Sequence, residues 1–303
     1  MTERFAQGKL RWINMKRPTP AEIHKIMLEL ELPPVLMGDL SSAVPKNSVC
    51  RADDTLKLTL DFPAVKNISP EHQLEVKFFV TRDTLLTVHY EEMEGIDRFK
   101  RQLELTSTLR KRQVHLSGAH LFIALFNNLY DATSSKLDYL ESKLSDIETE
   151  IFYDNEKKLV FDIAQISKVL ISFRHVMRSH EDILHDLTPL FTDLFGSSFK
   201  RDLENLGDHY DSLARRLATV YETMTALRET NIAMLETKQN EIMKIFTILA
   251  FTTFPLTLLS SLFGMNTDST PIVGLRGDFW IIIGVMVLAT ISFFVYFRHK
   301  GWM

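Results

Sequence analysis

Six hydroxyl side chains, Thr247, Thr252, Thr253, Thr257, Ser260 and Ser261, fall inside a stretch from Ile245 to Phe263 that carries no charged residue. In an apolar setting a hydroxyl can satisfy a carbonyl of its own helix, so each alone says little. Their concentration on one segment predicts that this segment faces protein or water. Steps of three and four residues place Asn240, Met243, Thr247, Ala250, Phe254, Thr257 and Ser261 on one helical stripe, where polar and small residues alternate with Met and Phe. A cation moving along that stripe would be held by neutral oxygens. One helix cannot enclose a path, so such chemistry requires several copies around an axis. The competing reading is that the polar residues only glue helices together.

The elements that position this stripe follow from charge and length. A second charge-free run extends from Phe279 to Phe297. Each run makes a helix of roughly 28 Å, which matches a hydrocarbon core of about 30 Å. Two membrane spans, 245–263 and 279–297, are therefore predicted. Thr290 and Ser292 are the only hydroxyls of the second, which reads as lipid-facing apart from the interfacial Trp280 and Tyr296. Lys238 and Lys244 precede the first span, and Arg298, His299 and Lys300 follow the second, with Trp302 beyond them. The loop between, Gly264 to Asp278, holds Arg276 against Asp268 and Asp278. The bias of basic residues places both termini in the cytoplasm and the loop outside, in a multi-pass protein of the cytoplasmic (inner) membrane. No carboxylate lies in either span, which disfavours a proton relay. No Walker A sequence, nucleophile elbow or Cys/His zinc spacing occurs, so an enzyme, an organic cofactor and ATP-driven pumping are not expected.

The remaining residues read as soluble. Of 303 residues, 45% are hydrophobic and 24% charged, with a net charge of −4, so no basic surplus points to nucleic acid. The single Cys50 fits a reducing cytosol, and the start to Lys16 lacks the apolar core of a secretory signal. The first part reads as α/β. Strands are predicted at Lys9–Met15, Thr55–Phe62, Leu74–Thr81 and Leu85–Tyr90, with a hairpin turn at Thr81-Arg82-Asp83. Thr19-Pro20-Ala21-Glu22 opens a helix to Leu30, and a further helix covers Gly95–Leu105. From Gly118 the pattern is helical, Leu121–Phe152 and Leu159–Asp186 being followed by a break at Gly196-Ser197-Ser198. Then Leu203, Leu206, Tyr210, Leu213, Leu217, Val220, Met224, Leu227, Asn231, Met234 and Lys238 recur at alternating three and four. This heptad seam predicts one helix from about Phe199 to Phe263, a stalk of roughly 95 Å that faces helices of its own chain, of a neighbour, or both. His175, His180 and His185 lie near Glu181, Asp182 and Asp186. A spacing of five turns each by about 140° from the last, so they share no face and read as solvated or interface positions rather than a metal site. The acidic runs Asp53-Asp54 and Glu91-Glu92-Glu94 receive the same reading.

Gly264-Met265-Asn266 directly after the first of two spans resembles the signature of the CorA magnesium-transporter family. Asn240-Glu241-Ile242-Met243-Lys244, Pro255-Leu256-Thr257 and the basic tail are similar to the family pattern, and the layout matches over the whole chain. The resemblance implies an α+β membrane protein and a homopentameric funnel: a cytoplasmic α/β domain (1–117), a long-helix bundle and stalk (118–244) and two spans with a short outer loop (245–303). It implies partners of its own kind, the bilayer and divalent cations (Mg²⁺, with Co²⁺ and Ni²⁺). Gly264, Met265 and Asn266 would form a selectivity filter in which five Asn266 carboxamides ring the outer mouth. Mg²⁺ dehydrates reluctantly, so such a ring suits a hydrated ion, with Gly264 letting the chain turn. Thr257 and Asn240 match pore-facing positions, and Met243, Phe246 and Phe254 match hydrophobic constrictions. Regulation by intracellular Mg²⁺ would use Asp61, but Asn205 stands where a stalk acid is expected, with Asp208 or Glu204 as substitutes. Asp268-Ser269-Thr270-Pro271-Ile272 replaces the frequent Met-Pro-Glu-Leu, and Phe263 a frequent tyrosine. Two other readings follow: a Zn²⁺ transporter of the same fold, possibly proton-linked, and a membrane-anchored coiled-coil scaffold that conducts nothing.

Overall fold

The computed structural model describes residues 2–36, 47–64, 74–109, 117–151, 156–265, 272, 274 and 276–302. They form two compact units, Met1–Arg228 and Glu229–Met303.

The first unit is built on a six-stranded sheet: β1 (Thr2–Gln7), β2 (Leu10–Lys16), β3 (Ser48–Ala52), β4 (Thr55–Phe62), β5 (Leu74–Val80) and β6 (Thr84–His89), in spatial order β1-β2-β6-β5-β4-β3. Every neighbouring pair is antiparallel except β2 with β6. Period-two alternation divides the two faces. Leu56, Leu58, Leu60 and Phe62 of β4, with Val76, Phe78 and Val80 of β5, join one large core. Ile13, Met15, Phe79, Leu86 and Val88 join a smaller one under α1 (Pro20–Glu29). Thr19 caps α1 as expected: its hydroxyl accepts from the Glu22 amide while the Glu22 carboxylate accepts from the Thr19 amide.

Two strands escaped the sequence reading. β1 is an exposed edge whose charges masked its alternation, and it is joined to β2 through Gly8. β3 pairs with β4 through Asp53-Asp54, with Asp53 at φ +49 and its carbonyl accepting from Arg51. That acidic run is thus a hairpin turn. Of the other run, Glu91 pairs with Arg17, Glu92 with Lys16 and Glu94 with Arg98.

The large core is closed by helices α2 (Glu94–Leu109), α3 (Gly118–Glu150), α4 (Glu156–Phe195) and the start of α5 (Lys200–Phe263). α4 runs past the expected end at Asp186 and through Pro189, with Thr192 donating its hydroxyl to the carbonyls of Thr188 and Pro189. Gly196, at φ +105, ends it. The seam residues Leu203 to Leu227 are all buried, which places this part of the seam against the chain's own helices. Arg216 ties α5 to α3 through Glu141, Asp138 and Ser134. In the second unit, α5 continues to Phe263 and α6 spans Asp278–His299. Both hold apolar windows long enough to cross a membrane.

Candidate functional site

The stripe lies on α5 as its spacing predicts. Asn240, Met243, Phe246, Phe254, Thr257 and Ser261 are exposed, with Phe254 at 73% and Phe246 at 61%, while Thr247 and Ala250 are half-buried. Ile248, Thr252, Pro255 and Leu259, on the opposite face, are half-buried. Burial within the chain therefore falls behind the stripe and leaves most of the stripe open.

Each threonine hydroxyl of this span donates to the carbonyl one turn back: Thr247 to Met243 (2.8 Å), Thr252 to Ile248 (2.7 Å), Thr253 to Leu249 (2.8 Å) and Thr257 to Thr253 (2.9 Å). The donors are consumed locally and the oxygen lone pairs remain.

At the far end, Gly264 donates its N–H to Ser260 O (3.0 Å) and Met265 to Leu262 O (3.4 Å). A Cβ at Gly264 would stand 3.1 Å from Ser260 O, a tight approach that would ask that carbonyl to give by a few tenths of an ångström, and the glycine's φ is not left-handed. Met265 is 54% exposed. Asn266 and Asp268 to Pro271 lie outside the described residues. Across the loop, Asp278 is the first residue of α6, and its carboxylate accepts from the Phe279 amide (2.7 Å) and the Gly274 amide (3.1 Å).

The regulatory candidates are placed apart in character. Asp61, on β4, is 5% exposed and its Oδ1 has no partner among the described residues. Burial, and secondarily Glu75 opposite it on β5, push its carboxyl up to about 6, against a smaller opposing pull from His175. Asn205 and Asp208 are exposed on α5. Among the described residues no three His, Cys, Asp or Glu converge on a metal position.

The histidine reading needs one correction. His175 and His185 are exposed, but His180 is fully buried. Its Nε2–H donates to the Asp61 carbonyl (2.7 Å) and its Nδ1 accepts from the Tyr130 hydroxyl (3.1 Å). The ring packs edge-on to Phe62 (5.1 Å) and parallel to Tyr210 (6.4 Å). Burial lowers its pKa to about 4, so it works as a neutral pin joining β4, α3 and α4. Spacing established that the three histidines differ in face, but not which face is inside.

A mixed sheet carries long helices, one of which continues as a charge-free, hydroxyl-bearing segment before a second apolar helix, and both segments are long and apolar enough to cross a membrane. Residues 7–299 match the family model described as "CorA-like Mg2+ transporter protein". The chain belongs to the CorA-like Mg²⁺ transporter family. It is similar to the cobalt/magnesium transport protein CorA of Methanocaldococcus jannaschii, at 24% identity over 99% of this chain and 93% of that one. The complete structure of the M. jannaschii CorA magnesium transporter superimposes with a TM-score of 0.83 at 20% identity, covering 99% and 93% of the two chains. The full-length CmaX protein superimposes with a TM-score of 0.72 at 14% identity, covering 97% and 89%.

Proposed function

We propose that this chain forms a passive, potential-driven Mg²⁺ channel in which a homopentamer places five copies of the α5 stripe around a pore. The observation that carries this reading is the open stripe itself, a charge-free face of hydroxyls and apolar side chains that ends at Gly264-Met265-Asn266. Membership of the Mg²⁺ transporter family and the transport names of its relatives support it. Asn266 carboxamide oxygens select a hydrated cation at the outer mouth, since Mg²⁺ keeps its water more readily than it exchanges it. Met243, Phe246 and Phe254 form constrictions that close by excluding water, and Asn240 stands at the inner mouth. Both termini are cytoplasmic. A regulatory Mg²⁺ would take Asp61, whose buried Oδ1 has no partner among the described residues, with Asn205 and Asp208 as further candidates.

The test is uptake by a cell that depends on supplied magnesium. Asn266→Ala should abolish uptake while assembly, read by size-exclusion chromatography, is unchanged; uptake at the unsubstituted rate would refute the filter. Mg²⁺ and Zn²⁺ flux into liposomes, with and without a pH gradient, separates this reading from a Zn²⁺ transporter. A well-formed oligomer that conducts neither ion would be a scaffold.

A further inference from the structure

α6 ends in a turn with two defining hydrogen bonds. Gly301 N–H donates to Arg298 O and Trp302 N–H to Phe297 O, both at 3.1 Å, with Gly301 at φ +69. This is a Schellman ending, which sets the residue after the glycine onto the residue five positions back. Here that contact is aromatic: Trp302 stacks on Phe297 with centroids 5.8 Å apart and planes 26° apart. Phe297 is buried and meets Phe251 of α5 edge-on at 6.5 Å. Trp302 also lines an open pocket of about 500 Å³ together with Thr237, Asn240, Glu241, Met243, Lys244 and Thr247 of α5. A large, rigid ring fixed by main-chain bonds to one helix therefore faces the inner end of the other across this pocket and reaches that helix through Phe297 and Phe251.

We propose that Trp302 is a positioning residue of the inner mouth, bracing the start of the first span and narrowing the entrance beside Asn240, Met243 and Thr247. The inference rests on the reading of the stripe as pore-lining. Indole suits the role: it presents wide contact area at little conformational cost and sits readily at a membrane surface. Because the ring is carried by the turn, any displacement of the end of α6 is delivered to the entrance.

The test uses the full chain with Cys50→Ser and Thr247→Cys, reconstituted in phosphatidylcholine liposomes. Charged, membrane-impermeant methanethiosulfonate reagents, one small and one bulky, are applied to the cytoplasmic side. Adding Trp302→Ala should speed modification of the introduced thiol by the bulky reagent about tenfold, as expected when an apolar constriction is opened. Trp302→Phe should keep the slow rate. Gly301→Val retains the indole but puts a β-branched residue at a left-handed φ, and should shift the rate the same way as Trp302→Ala. Size-exclusion chromatography checks assembly of each variant. Equal rates across all variants overturn the brace and leave the pore reading standing. A thiol that resists even the small reagent in every variant overturns the pore reading, and the brace with it.

Discussion

His180 and Asp61 share one hydrogen bond and carry opposite pH dependences. His180 titrates near 4 in the fold, below its ordinary value of 6.5, so as pH falls from 6.5 the unfolded chain takes up a proton that the folded chain refuses. Stability is lost across that window, by on the order of 3 kcal/mol in full. Asp61 titrates near 6 in the fold, above its ordinary 3.8, so between those values the folded chain holds a proton that the unfolded one releases. That contribution grows as pH falls. The two slopes offset each other between about pH 4 and 6, and the unfolding temperature in detergent, without divalent cations, should vary little from these groups there. Asp61→Asn removes one slope and should expose the other, the melting temperature falling steadily from pH 6.5 to 4.5. An unchanged profile in the variant would show that the imidazole is not held neutral.

At the scale of elements, the bundle depends on the part of the seam that the chain itself buries. Leu213, 3% exposed, should cost about 2–5 kcal/mol when cut to Ala, the usual range for a buried leucine. Denaturant unfolding checks this. Much of the architecture was legible beforehand, and for identifiable reasons. β4 showed clean alternation, α1 had both halves of its capping box, and the charge gaps from Ile245 to Phe263 and from Phe279 to Phe297 marked the two apolar helical segments. What was missed lacked a local signal. β1 is polar because it is an edge, and its partner β2 supplies the pairing that makes it a strand. α4 carries Pro189, which normally argues for a stop, yet neighbouring packing, with Leu187 and Phe191 fully buried, keeps the helix running. For the site, spacing located the stripe on α5, but the tight approach of Ser260 O to position 264 depends on local backbone geometry, which no motif expresses.

For the whole molecule, the proposed arrangement makes the membrane potential the driving force, worth about 4.6 kcal/mol per divalent ion per 100 mV. Mg²⁺ entry into liposomes should therefore accelerate when a potassium diffusion potential is made inside-negative and stall when it is reversed; flux indifferent to the potential would refute a passive route. The back-donated hydroxyls of α5 bear on what such a route would admit. Thr247, Thr252, Thr253 and Thr257 have each committed their hydrogen to a carbonyl of the same helix, so they meet water only as acceptors. Water around a cation points its hydrogens outward, whereas water around an anion points its oxygens outward. Where such threonines line the proposed pore, that stretch of wall can receive the first kind of shell and has no hydrogen to give the second, in contrast to the carboxamide N–H groups of Asn240 and Asn266 at the two mouths. It would thus tell the sign of a hydrated ion from the orientation of its water, without a single charged side chain in the span.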